Sequence, residues 1–154
     1  MRVTARGDYA VRAAVELASA GGEARKVADI AAAQDIPPRF LENILIALRR
    51  AGLVRSRRGS EGGFRLARSA DEITLADVLR AVEGPLANVQ GVPPEEVSYT
   101  GSAVALRDVW VAVRASLRVV LEQVTLAEVA AGALPGEIQE LIADPESWRV
   151  HMPR

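Results

Sequence analysis

Five arginines flank a glycine-rich turn in the stretch RSRRGSEGGFRLAR, which covers residues 55–68. The whole chain has 19 lysines and arginines, so this short stretch holds a large share of its positive charge. A guanidinium group can pair with a phosphate, and it can also donate two hydrogen bonds to one planar acceptor. Arginines on two short arms and a flexible tip are therefore typical of a surface that meets a polyanion.

The charge of the chain is divided between its two halves. Residues 1–69 have a net charge of +6 and residues 70–154 have a net charge of −7, which leaves −1 overall. An imbalance of this kind suggests that the first half meets a polyanion. The alternative is a chance clustering of charge, and the totals alone leave both interpretations open.

The residue types exclude several kinds of chemistry. The chain has no cysteine, and its one histidine is His151, close to the end. Disulfides, thiolate metal sites, a cysteine nucleophile and a Ser-His-Asp triad are therefore not expected. The glycines of the 59–63 turn are not followed by the GK[ST] sequence of a P-loop. We predict no enzymatic activity, no metal site and no cofactor.

Length and hydropathy predict a globular chain. With 154 residues, of which 49% are hydrophobic, the chain can bury a core of its own. Its apolar runs are shorter than a membrane span, and its N-terminus lacks the apolar stretch of a signal peptide. We therefore expect a soluble, cytoplasmic protein with no membrane partner.

The elements that position the arginines follow from periodicity and from helix-end signals. Apolar residues at helical spacing predict helices over 4–19, 27–34 and 38–50, and the third has an apolar stripe of Leu41, Ile44, Leu45 and Leu48. Alternation predicts strands over 54–57 and 64–67, joined by the glycine turn. Two helices joined by a tight turn and followed by a hairpin form a winged helix-turn-helix.

The second half is predicted to be helical as well. A helix capped by Thr74 should run to residue 82, an ordered loop should follow over 84–102, and a long helix should cover 103–124. Its apolar seam suits a partner helix and consists of Leu106, Trp110, Val113, Leu117, Val120 and Val124. We predict a dimer helix here; the alternative is packing against the chain's own winged domain.

The domain organisation follows from these elements. We assign residues 1–84 to a DNA-binding domain, 85–102 to an effector-region loop, 103–131 to the dimerisation helix and a short following helix, and 132–154 to a short helix and a tail. The predicted fold is mainly α: a winged helix-turn-helix with a two-stranded β-wing and a long C-terminal dimerisation helix.

Four segments in the same order resemble the Rrf2 family of bacterial winged-helix regulators. They are MRVTARGDYAVRA, IPPRFLENIL, RRAGLVRSRRGSEGGFRLAR and ITLADVLRAVEG. The resemblance covers residues 1–84 well and extends more loosely to about residue 130. It implies a homodimer that binds a pseudo-palindromic operator in double-stranded DNA, with the third helix in the major groove and the wing at the minor groove.

The resemblance also assigns residues to the DNA interface. It places Arg39, Phe40, Glu42 and Asn43 at the base-reading start of the third helix. It places Arg58 in the minor groove, at the tip of a wing that also carries Arg55, Arg57, Gly59, Gly62 and Gly63. The alternatives are a phosphate contact for Arg39, a capping or repulsive role for Glu42 and a core position for Phe40.

The chain departs from its iron–sulfur relatives in one respect. Those relatives carry three cysteines in the loop that here reads NVQGVPPEEVSYTGS, and this loop has none. Asp8 matches an acidic cluster ligand of some relatives, yet it cannot complete a site alone. We therefore predict a repressor without an iron–sulfur cluster, controlled by a small-molecule effector or a protein partner. The alternative function is a winged-helix module that binds protein or RNA.

Overall fold

The computed structural model describes residues 2–152 of the chain. Within these residues the chain forms seven α-helices and one two-stranded antiparallel sheet. The helices are α1 (Ala5–Ser19), α2 (Val27–Gln34), α3 (Pro38–Arg50), α4 (Leu75–Glu83), α5 (Leu106–Leu121), α6 (Leu126–Ala131) and α7 (Gly136–Ala143); the strands are β1 (Val54–Arg57) and β2 (Gly63–Leu66). The predicted mainly helical, winged-helix fold is confirmed.

The first three helices begin and end where local signals place them. The Thr4 hydroxyl accepts a hydrogen bond from the Gly7 amide at 3.0 Å and so caps α1. Asp35 ends α2 in the left-handed conformation, with φ of 50°. α3 starts at Pro38, where the missing N–H costs no helical hydrogen bond, and ends with two arginines that suit the negative end of the helix dipole.

One apolar core joins α1, α2, α3 and the base of the wing. The predicted stripe of α3 (Leu41, Ile44, Leu45 and Leu48) is at most 1% exposed. It packs against the small inner face of α1, where Ala10, Ala13, Ala14 and Leu17 are also buried. Small residues on α1 let the helices approach closely, so α3 is fixed on one side and presents its other side outward.

The wing is attached to the rest of the protein by backbone hydrogen bonds with a residue outside the hairpin. Strand β1 pairs with β2 from Val54↔Leu66 to Arg57↔Gly63. In addition, Arg25 and Phe64 exchange two backbone hydrogen bonds of 2.8 Å. β2 therefore begins one residue earlier than predicted, because Gly63 pairs with Arg57.

α6 returns to the first domain and completes its core. Thr74 and Thr125 form an antiparallel bridge, and each caps the helix that follows it through a capping box. Leu126 is fully buried in the same core as α1 and α3. α6 thus packs with the winged domain, whereas α5 lies beside it.

α5 is shorter than predicted at both ends. Residues 101–103 form a separate 3₁₀ turn, and the helix ends at Leu121. Val124 was predicted to continue the dimer seam, but it lies beyond the helix and is 3% exposed. Its carbonyl accepts a hydrogen bond from the Leu75 amide at 2.9 Å, which ties it to the start of α4. Val124 is therefore covered by the chain itself, unlike the other residues of the predicted seam.

Candidate nucleic-acid interface

α3 has one buried face and one exposed face. The side chains of Arg39, Glu42 and Asn43 are exposed, as is Ile46 one turn later. Phe40, at the edge of this face, is 58% exposed, so the core position considered for it is wrong. The start of α3 has no side-chain cap, and Glu42 is thus not needed to begin the helix. The four sequence-predicted residues lie together on the open side of α3. With Ile46 they form the surface that we call the reading face (Arg39, Phe40, Glu42, Asn43 and Ile46).

The wing adds a basic surface next to this helix. Arg55, Arg57 and Arg58 are exposed, and Arg65 lies directly opposite Arg55 in the sheet. Like charges placed opposite each other weaken a sheet. A wing that keeps this arginine pair is therefore better suited to a bound anion than to water alone.

The three wing glycines are structural residues. Gly59 has φ of 103°, and a Cβ on Gly62 would come within 2.6 Å of the Arg57 and Gly59 carbonyl oxygens. Gly63 has φ of 145°, and a Cβ there would lie 2.3 Å from the Arg25 carbonyl oxygen. Together they fold the tip tightly and allow it to approach the linker before α2.

Two further residues hold the wing against the rest of the protein, and sequence reasoning did not single them out. Arg49, in the last turn of α3, places its Nη1 atom 3.5 Å from the Ser56 hydroxyl of β1. Arg25 supplies the backbone bridge to β2. Their sequence separation from the wing explains why periodicity gave no signal for either contact.

Asp8 is engaged locally. Its carboxylate forms a salt bridge of 3.1 Å with Arg12, one turn later on α1. Among residues 2–152, His, Asp and Glu side chains do not gather in threes as metal ligands would. The same described part of the chain has no helix with the length and apolar character that crossing a bilayer requires.

The loop before α5 packs firmly on that helix. Pro94 is fully buried, and the Trp110 indole N–H donates to the Tyr99 hydroxyl at 3.0 Å. Glu95 pairs with Arg114. The pKa of the Glu95 carboxyl lies below its ordinary value of 4.5. The largest cause is a backbone hydrogen bond, and the next is the hydrogen bond with Arg114. Trp110 thus uses its indole N–H within the chain.

Two cavities lie beside this loop. One of about 230 Å³ is lined by Trp110, Val113 and the loop residues 87–89, which is small for a ligand site. Another of about 440 Å³ lies between the N-terminal arm, the end of α4 and α5, where its lining includes Val3, Leu79, Leu117 and Leu121. Because Leu117 also belongs to the predicted dimer seam, this cavity borders the predicted dimer face.

Comparison with known proteins agrees with this architecture. A family model described as Rrf2, iron-dependent transcriptional regulator, matches residues 3–132. A protein of Mycobacterium tuberculosis that carries the name of an HTH-type transcriptional regulator is 54% identical over 145 residues, which cover 94% of this chain and 90% of the relative.

Two solved structures extend the comparison. The global cysteine regulator CymR of Bacillus subtilis is 34% identical in sequence, over 84% of this chain and 90% of CymR. Its structure superimposes with a TM-score of 0.72, covering 86% of this chain and 98% of that one. The structure of IscR of T. potens is 28% identical, with a TM-score of 0.66, and covers 99% and 94% of the two chains. The chain belongs to the Rrf2 family of HTH-type transcriptional regulators.

Proposed function

We propose that this regulator is a homodimer that binds a pseudo-palindromic operator and represses the genes that the operator controls. The observation that carries this proposal is the exposed reading face of α3 next to the arginines of the wing. In a helix-turn-helix, residues near the start of the second helix contact base edges. The basic wing contacts the backbone or the minor groove, where arginine is attracted to the negative potential.

The exposed surface of α5 supports the homodimer. None of its 16 residues is buried within the chain, although five seam residues (Leu106, Trp110, Val113, Leu117 and Val120) are half-buried. Val109 and Val119 are 50% and 53% exposed. The chain exposes 10046 Å², whereas a folded monomer of its mass exposes about 7,500 Å². A second copy packed along α5 would cover part of this exposed surface.

We propose that repression acts through occupancy of the operator. A dimer that covers an operator within a promoter excludes polymerase from the same DNA. The relatives named above are transcriptional regulators, which supports a role without enzymatic turnover.

The residues of this chain do not fit an iron–sulfur cluster, although the family model is described as iron-dependent. Such clusters are held by thiolates, with imidazole as a replacement in some of them. The chain has no cysteine, and its one histidine is 143 residues away from Asp8 in sequence, at position 151. Asp8 and Glu95 are hard oxygen donors that already pair with arginines. We propose that the regulator works without a cluster.

Another signal must then control DNA binding, and the loop and α5 are the place we propose for it. The Tyr99–Trp110 hydrogen bond and the Glu95–Arg114 pair connect the loop to the dimer helix. A small molecule in the 440 Å³ cavity, or a protein partner on the acidic second half, would act on the same helix.

The experiment is selection from random duplex DNA, followed by footprinting of the selected sequence. We expect a site with two related half-sites and a much weaker affinity for scrambled DNA. Equal affinity for all duplexes, or preference for RNA, would instead support the alternative of a module that follows phosphates without reading bases.

A further inference from the structure

An aromatic side chain lies beside the exposed polar residues at the start of α3. Phe40 is the third residue of the helix and is 58% exposed. Its ring does not point freely into solvent, because it packs edge-to-face against Tyr9 of α1. The ring centroids are 6.3 Å apart and the planes are inclined by 72°. This geometry is a favourable one for two aromatic rings.

Tyr9 is itself held in place from the other side. The Arg12 guanidinium carbon lies 5.4 Å from the centre of the Tyr9 ring, and Arg12 is fixed by its salt bridge of 3.1 Å with Asp8. The next residue of α1, Ala10, is fully buried in the core. The Tyr9 ring is therefore held by a helix that is packed in the core. Its contact with the Phe40 ring limits the orientations that the Phe40 side chain can adopt.

We propose that Phe40 recognises a thymine through its C5-methyl group and that Tyr9 is the positioning residue for this contact. The inference rests on the proposed function, and it names one element of the base recognition. A phenylalanine ring has no hydrogen-bond donor or acceptor for a base edge. In the major groove the one apolar group that distinguishes a base pair is the thymine methyl, and Phe is among the side chains that contact it.

The neighbouring residues divide the work of recognition. Arg39 and Glu42 can make hydrogen bonds to guanine and cytosine, respectively, whereas Phe40 contributes only an apolar contact. Removing one methyl from such a contact is expected to weaken binding about fourfold per half-site, the equivalent of one buried CH₂ group. The loss is confined to one thymine, since a single ring covers one methyl.

The experiment uses the full chain and its selected operator. Each thymine is replaced in turn by deoxyuridine, which lacks only the methyl, and affinity is measured for the wild type, Phe40→Ala, Phe40→Leu, Tyr9→Ala and Tyr9→Phe. Trp148→Ala is the control, because Trp148 is also an exposed aromatic residue but lies in the tail. Thermal unfolding of every variant shows whether its fold is intact.

For the wild type and for Trp148→Ala, we expect deoxyuridine at one thymine of each half-site to lower the affinity about fourfold. Phe40→Ala should bind the thymine and deoxyuridine sites equally. Tyr9→Ala should lose most of the discrimination, and Tyr9→Phe should keep it, because the ring rather than the hydroxyl contacts Phe40.

Other outcomes overturn the inference. A wild type that is indifferent to every methyl, or a Phe40→Ala protein that still discriminates at the same thymine, shows that Phe40 is not the reader. If Tyr9→Ala loses the same affinity for the thymine and the deoxyuridine operators and still discriminates between them, Tyr9 does not position Phe40. If the wild type selects no sequence, the proposed function itself is wrong. This outcome is distinct from those in which an operator is selected but Phe40 does not read a methyl group.

Discussion

At the scale of single residues, Arg58 tests the role of the wing tip. It is exposed and directly precedes Gly59 at the tip. We expect Arg58→Ala to weaken operator binding and, if it neutralises one phosphate, to lower the salt slope of log K by about 0.9. Titrations at several salt concentrations measure both quantities.

The matched control for Arg58 is Arg149→Ala, which removes an exposed arginine from the tail. It should leave affinity and slope close to those of the wild type. Unchanged binding by Arg58→Ala would contradict the role of the wing tip.

Glu42 tests base reading rather than charge. It is exposed on the reading face, beside the arginines that we propose attract DNA. A carboxylate that accepts a hydrogen bond from cytosine N4 sets preference at one position, at a cost of roughly 1–3 kcal/mol when it is lost. We expect selection with Glu42→Ala to relax one position of the operator, and the same test of Arg39→Ala should relax another.

Glu137→Ala, on the exposed surface of α7, is the control for loss of one negative charge. A Glu42→Ala protein that binds every sequence more tightly, with its preference unchanged, would mean that Glu42 only repels DNA.

At the scale of elements, the wing depends on Gly63. A Cβ at this position would lie 2.3 Å from the Arg25 carbonyl oxygen, and the backbone has φ of 145°. We expect Gly63→Ala to lower the free energy of unfolding by roughly 1–3 kcal/mol through strain and loss of the Arg25–Phe64 bridge. It should weaken operator binding as well.

Urea unfolding and a gel shift check this prediction. Gly136→Ala is the control, because a Cβ at Gly136 meets open space at the start of α7. Equal stability of the two variants would show that the wing tolerates a displacement from its anchor.

The second prediction at this scale concerns α5. Leu117 lies in the proposed dimer seam and is half-buried within the chain. Leu117→Glu would place an unpaired carboxylate in the interface, which is strongly unfavourable. We expect a monomer, or loss of the fold, in sedimentation combined with circular dichroism.

Ser116→Glu puts the same charge on the exposed neighbouring position of α5 and should remain a dimer. If Leu117→Glu is a soluble dimer of normal stability, the interface lies elsewhere.

At the scale of the whole molecule, the distribution of charge matches the roles that we propose for the two halves, DNA binding for the first and dimerisation for the second. The basic first half carries the reading face and the wing, and the acidic second half carries α5 and the loop. An acidic dimerisation half is repelled by DNA, which favours binding through the wing and α3.

The cluster-free state is a prediction about the whole protein. After anaerobic treatment with iron and sulfide, we expect a colourless protein that binds its operator equally well with and without iron. The reason is the lack of thiolate ligands in the chain. An absorption spectrum and a gel shift measure this, and Asp8→Ala should behave as the wild type does. Visible charge-transfer bands with stoichiometric iron would contradict the prediction.

The sequence by itself determined the local elements. The bounds of α2 follow from apolar spacing and those of α3 from the Pro37-Pro38 start and the stripe of leucines. The two capping boxes are visible as Thr74 with Asp77 and Thr125 with Glu128. These features are predictable because each depends on residues three or four positions apart.

Only the tertiary structure decided how distant segments meet. The Arg25–Phe64 bridge, the packing of Phe40 on Tyr9 and the burial of Val124 beside α4 join residues that are far apart in the chain. Val124 lies four residues after Val120, as the predicted seam requires. In the structure it lies beyond the end of α5, is buried, and accepts a backbone hydrogen bond from the Leu75 amide. Local spacing shows which face of a helix is apolar; which surface covers that face depends on packing across the whole fold.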